Sequence, residues 1–130
     1  MGLDNGICIE RKTAPAAASK IFHEDEWSQK YSYIEVAYWR KCWNVRNIVF
    51  ELLDIEDFND SHTSMSVDDV IAVIKALKKF KAKNYTDRGS CIWDWEEFRD
   101  INRRNIAALN RLVRLMKKND NIEVYFYDSW

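Results

Sequence analysis

The sequence predicts an α+β fold: three main helices packed on a small antiparallel sheet formed by the N- and C-terminal strands, all within one domain spanning residues 1–130. Three observations lead there. Three glycines and one proline in 130 residues fall far below the usual shares of about 7% and about 5%, which favours long helices over turn-rich all-β folds. Three stretches, 33–53, 67–83 and 95–118, carry apolar residues at helical spacing. Both ends of the chain carry short segments with strand character.

Residues 3–11 place Leu3, Ile7 and Ile9 on one side of an extended chain, the period-two pattern of a half-buried strand. The connector from Thr13 to Lys20 is built of small residues. The segment from Ile21 to Ser32, with its acidic run Glu24-Asp25-Glu26, has no clear period and reads as an ordered loop or short helix. On a helix over 33–53, Ile34, Tyr38, Val45, Ile48, Val49 and Leu52 form one stripe, and Val36, Trp39, Trp43 and Phe50 lie nearly opposite. The helix over 67–83 opens with Ser66 and Asp69 at capping-box spacing and closes in lysines. Its stripe is Val67, Val70, Ile71, Ile74, Leu77 and Phe80. The helix over 95–118 runs from Glu96, Glu97 and Asp100 to Arg111, Arg114, Lys117 and Lys118, in accord with its dipole. Its stripe, Phe98, Ile101, Ala108, Leu112 and Leu115, is interrupted by Asn105, an amide that needs partners if buried. Residues 122–127 are apolar or aromatic on both sides except at Glu123, as in a covered strand, and are expected to pair with the first strand. The terminal Trp130 is expected to dock.

The formal net charge is −1, from 20 basic and 21 acidic residues. The molecule as a whole therefore offers no general attraction for nucleic acid, and any phosphate contact is local. Cys8, Cys42 and Cys91 are far apart and odd in number, which argues against a disulfide framework and for a reducing cytoplasm, with the thiols buried and inert. The start lacks the pattern of an export signal, and no apolar run is long enough for a membrane span. Glycines at 2, 6 and 89 cannot build a phosphate loop. A calcium loop over 54–60 fails because Phe58 takes a ligand position and the required glycine is missing, so the segment reads as an acidic linker. His23 and His62 lack ligand-like spacing, so neither metal nor cofactor is expected. Glu96 and Glu97 serve the helix dipole rather than acid catalysis.

The remaining candidate site is Trp39, Arg40, Trp43, Arg46 and Asn47. On the expected helix the two indoles lie four residues apart on one side, bordered by two guanidinium groups and an amide. Flat rings beside cations can sandwich a base and neutralise a phosphate. The structural alternative is that the rings fill a second apolar layer while the cations reach outward.

Met1-Gly2-Leu3-Asp4 at the start, Tyr38-Trp39-Arg40-Lys41, Trp93-Asp94-Trp95-Glu96-Glu97-Phe98 before the last helix, and the closing Ser129-Trp130 resemble an uncharacterised family of small tailed-phage and prophage proteins. The chain departs from that pattern at Trp43 and Arg46, where relatives often carry Asn and His. The resemblance implies a phage accessory protein acting in the bacterial host cytoplasm, one that binds and disables a component of host defence. The expected function is non-enzymatic sequestration of a nucleotide-type signal. One alternative is a protein inhibitor docking on a host defence nuclease, in the manner of an anti-CRISPR. Another is a small enzyme with a site assembled from Cys91, His23 and Glu35. Surplus aromatics are compatible with a homo-oligomer.

Overall fold

The computed structural model describes residues 3–55, 62–85 and 94–129. Four strands, β1 (Asp4–Glu10), β2 (Tyr33–Arg40), β3 (His62–Met65) and β4 (Val124–Ser129), form one antiparallel sheet in the order β2-β1-β4-β3. The helices are α1 (Ala18–Ile21), α2 (Trp43–Leu53), α3 (Val67–Lys79) and α4 (Trp95–Lys118). The α+β class and the pairing of the terminal strands follow the sequence reading. The strands β2 and β3 are additions to it. The expected docking of Trp130 lies outside the described residues, as does most of the acidic linker.

The helix expected over 33–53 is corrected to a strand followed by a helix. Residues 33–40 pair with β1, and only Trp43–Leu53 is helical. Five of the eight residues of β2, Tyr33, Ile34, Val36, Tyr38 and Trp39, are β-branched or aromatic, which suits a pleated strand. A bulge hides the alternation: Ile7 faces Ala37 while Cys8 faces Glu35, so Val36 is the extra residue. With two consecutive buried residues, Val36 and Ala37, the pattern imitates a helical stripe. Lys41 then takes a left-handed conformation (φ 51°), its N–H donates to Leu3 O, and the chain turns into α2. Asp54, also left-handed (φ 53°), closes that helix.

One sheet face is covered. Ile7, Ile9, Ile34, Trp39, Met65, Val124 and Phe126 meet the apolar sides of α2, α3 and α4 in a single core. Helix α2 lies against β4, where Phe50 meets Phe126 edge-on at 6.1 Å. Helix α3 packs between α2 and α4, and α4 lies against β2. The Ser66 capping box forms as read: Asp69 N–H donates to Ser66 Oγ (3.1 Å) and Ser66 N–H to Asp69 Oδ2 (2.9 Å). On α4 the buried side is Phe98, Asn102, Ala108, Leu109, Leu112 and Val113, rotated from the expected stripe. Ile101 and Leu115 sit at its border.

Asn105, which interrupted that stripe, has a purpose in the edge of the sheet. Its Nδ2 donates to Tyr38 O of β2 at 3.0 Å. Near the other end of β2, Arg11 Nη2 donates to Tyr33 O at 3.0 Å. Two carbonyls of an edge strand are thereby occupied, which blunts the edge as a template for pairing with another chain.

Candidate functional site

The sheet face away from the helices, uncovered among the described residues, carries those that alternate outward: Asp4, Gly6 and Cys8 from β1, Tyr33, Glu35 and Tyr38 from β2, His62 from β3, and Tyr125, Tyr127 and Ser129 from β4. A hollow of ≈ 610 Å³ lies over it, lined by these residues other than Gly6, together with Ser32. Four tyrosines thus share one surface: Tyr125 and Tyr127 by the two-residue period of β4, and Tyr33 and Tyr38 because the Val36 bulge resets the period of β2 between them. His62 stacks on Tyr125 (5.2 Å between ring centres, 28° between planes) and meets Tyr127 edge-on at 6.5 Å.

Gly6 explains how two of these tyrosines are held. It stands opposite Tyr38 in one pairing and opposite Tyr127 in the other. A Cβ at that position would lie 2.9 Å from the Tyr127 ring and 2.7 Å from Ala37 O. The absent side chain lets the Tyr127 ring lie across β1, so that its hydroxyl donates to Glu35 Oε2 at 2.9 Å. Tyr38 in turn donates to Asp4 Oδ1 at 2.5 Å. Replacing Gly6 by Ala is expected to cost about 1–3 kcal/mol through overpacking and to displace Tyr127, read as a fall in the urea midpoint. An unchanged midpoint would show that the ring has room to move aside.

Burial raises the Glu35 carboxyl above its ordinary range; the Tyr127 hydrogen bond works against this and the charge of Asp4 adds to it. Because the folded form holds this proton more tightly than the unfolded chain, Glu35 favours folding at acid pH. That contribution is lost as pH rises through the raised value. Burial also pushes up the phenol of Tyr127, followed by the nearby charge of Glu35, and brings Tyr125 to about 12. The Cys8 thiol is raised well beyond its ordinary value by burial, then by Glu35. It is therefore protonated near neutral pH, a poor nucleophile. Cys8 and Cys42 are both buried, as the sequence reading expects. Cys91 lies outside the described residues.

A second, smaller hollow of ≈ 300 Å³ adjoins the first, sharing Tyr33 and Glu35, and is walled by Phe22, His23, Glu24, Asp25, Ser28 and Tyr31. Arg11 fixes this wall. Its guanidinium pairs with both Glu24 carboxylate oxygens (2.9 and 2.7 Å) and donates to Ser28 O at 3.1 Å and Tyr31 O at 2.5 Å. The Arg11 hydrogen bond holds the Glu24 carboxyl below its usual range, so the anchor weakens as pH falls through that lowered value. His23 and Glu35, named for an assembled catalytic site, do face one hollow.

The five residues of the expected patch are dispersed. Trp39 is in β2, 0% exposed, on the helix-covered face. Arg46 is 3% exposed, and its Nε donates to Asp128 Oδ2 of β4 at 2.8 Å. Its guanidinium lies 3.9 Å from the Phe50 ring centre and 5.0 Å from that of Trp43. Trp43 is half-buried and Asn47 exposed on α2. The common helical face does not form because strand and helix meet between Trp39 and Trp43. Arg40 stands apart from the rest: two residues from Tyr38 on the same side of β2, opposite Asp4, it is exposed; burial and then the Asp4 hydrogen bond raise the Tyr38 phenol, and the Arg40 charge works against them. Arg40 thus lies beside two residues that line the larger hollow, Tyr38 and Asp4, without lining it itself. A helical period over residues 33–53 conceals the tyrosine face, because it takes Tyr33 and Tyr38 out of any strand. The alternation Tyr125-Phe126-Tyr127 against Ile7-Cys8-Ile9 is the signal that carries it.

Among the described residues no group of three or more His, Cys, Asp or Glu side chains is placed to hold a metal ion. Among them, too, no helix is long and apolar enough to cross a membrane. No protein-family profile, curated protein or solved structure matches this chain.

Proposed function

We infer that the chain is a non-catalytic binding protein that takes the base of a nucleotide-type molecule into the tyrosine-lined hollow of its open sheet face. In the phage setting that its sequence resembles, acting in the bacterial host cytoplasm, such capture removes a signal on which immunity depends. The observation that carries the reading is the hollow itself. Its ≈ 610 Å³ falls within the roughly 300–1,000 Å³ of small-molecule sites. Flat rings supply stacking surfaces, and the Asp4 and Glu35 carboxylates accept hydrogen bonds from a base N–H. The lining holds two carboxylates and no Lys or Arg, so a phosphate is repelled from the floor and directed to Arg40 beside the hollow.

Calorimetric titration with nucleosides, cyclic nucleotides and ADP-ribose derivatives tests this. Binding is expected, weakened at least about tenfold by Tyr125→Ala, a loss of one stacking surface worth about 1–3 kcal/mol. Arg40→Ala is expected to weaken nucleotides while leaving nucleosides unaffected. Uniformly flat heats would end the proposal.

A second reading, an inhibitor docking on a host defence nuclease, is favoured by the loop beside the hollow, where Trp27 is 66% and Tyr31 44% exposed. Protruding aromatics of this kind serve as interface anchors. Capture of one stoichiometric nuclease, lost in Trp27→Ala, would support this version in place of the first.

A further inference from the structure

On the side of the molecule away from the open sheet face, α3 and α4 enclose a groove of ≈ 380 Å³ lined by Leu77, Lys78, Phe80, Lys81, Trp95, Arg99, Asn102, Arg103 and Ile106. Four of these residues are cationic and none is acidic. Lys78, Arg99 and Arg103 are exposed. Arg99 Nε lies 3.7 Å from Asp100 Oδ1, in a pair whose side chains are 50% and 60% exposed. A solvated pair of this kind is held weakly. The hollows on the sheet, by contrast, are lined by Asp4, Glu24, Asp25 and Glu35. A net charge of −1 thus conceals a molecule with an acidic face and a basic groove.

The groove also holds aromatic surface. Phe80 and Trp95 are half-buried, with ring centres 6.4 Å apart and planes 28° from parallel. Phe98 and Tyr85 support Trp95 from below at 6.0 and 5.7 Å. Arg99 and Arg103 are one helical turn apart, roughly 6 Å along the axis, which suits successive phosphates of an extended strand. Cations that follow a backbone, beside rings on which bases stack, are the two ingredients of single-strand binding.

We propose that the α3–α4 groove binds single-stranded nucleic acid, with Lys78, Arg99 and Arg103 on phosphates and a base against Trp95 and Phe80. This amends the expectation from total charge, because attraction is set by the local field rather than by the sum. It is independent of the tyrosine-lined hollow, which lies on the other face.

Fluorescence anisotropy with a labelled oligothymidylate of about 12 nucleotides tests the proposal on the full chain. Neutralising three phosphates at a slope of about −0.7 each predicts an affinity loss of about 20-fold between 50 and 200 mM salt. The pair Arg99→Glu and Arg103→Glu, both at exposed positions, is expected to weaken binding at least tenfold. Trp95→Leu is expected to weaken it at least about fivefold, and Tyr125→Ala to leave it unchanged. No anisotropy change at 50 mM salt would overturn the proposal, as would full binding by the charge-reversed variant. Equal binding of a duplex of the same length would overturn it too, since stacking would then contribute nothing. So would displacement by polyglutamate at equal charge, which would point to an acidic protein instead.

Discussion

Asp128→Ala is expected to destabilise the fold by about 3–5 kcal/mol, the cost of removing one member of a buried ion pair. Arg46 and Asp128 are 3% and 0% exposed at the side chain and join α2 to β4 across the core. The two aromatic rings beside the guanidinium, Phe50 and Trp43, favour a cation electrostatically but cannot replace a carboxylate. Equilibrium urea unfolding at neutral pH reads the effect as a large fall in midpoint. The double variant Arg46→Met with Asp128→Leu is expected to recover most of the loss, because a matched apolar pair avoids the desolvation of both ions. If the single variant unfolds within about 1 kcal/mol of the parent, water reaches this pair and its buried description fails. The prediction also separates two roles for Arg46. As an architectural residue it changes stability while the rescued double variant keeps its ligand binding; as a ligand contact it would lose binding in that variant.

Trp39→Ala is expected to cost a further about 3–5 kcal/mol on its own, as large aromatic truncations in a packed interior do. The indole is completely buried and sits between the sheet and the helices. Its Nε1 has no hydrogen-bond partner among the described residues, so Trp39→Phe removes volume without breaking a polar contact. That milder change is expected to cost about half as much or less. The measurement is again the unfolding midpoint, with the m-value as a check that the unfolded state is unaltered. A Trp39→Ala protein as stable as the parent would mean that this side of β2 is open, and would return the indole to the list of candidate ligand contacts.

Both predictions turn a pair of residues that looked like a binding patch into fold architecture, and the cause lies in periodicity. A 3.6-residue and a two-residue period differ clearly over a long uninterrupted run. Over residues 33–40 the Val36 bulge inserts one extra residue, and the alternation resets after only four positions. The helices α3 and α4 presented no such ambiguity in type, although α3 ends at Lys79, short of the expected residue 83. Each carries a long apolar stripe, an N-cap whose side chain accepts from the third helical residue, and cations in the last turn. Those are local signals, and α4 begins and ends at the residues its spacing implies. The orientation of α4 was legible only in part, because its buried side is set by neighbouring elements. Asn105 turned outward to meet Tyr38 O, and Asn102 turned inward to donate to Leu77 O at 3.3 Å.

The two proposed sites differ in the same way. In the α3–α4 groove, Arg99 and Arg103 were adjacent on one helix face from the sequence alone, but the total charge hid them. Only packing showed that the acidic residues lining the hollows gather on another surface. The tyrosine hollow depends on four strands drawn from widely separated parts of the chain. Its key contact, Tyr127 to Glu35, spans 92 residues and passes over a strand between them at Gly6.

The sequence by itself determined the class of the fold, the starts of its last two helices with the Ser66 cap, and the pairing of its two ends, because propensity, capping and period act through near neighbours. The tertiary structure alone decided that Trp39 and Arg46 face inward while Arg40 and four tyrosines face outward. Which side of a strand is covered depends on where distant helices come to rest, and nothing local encodes that.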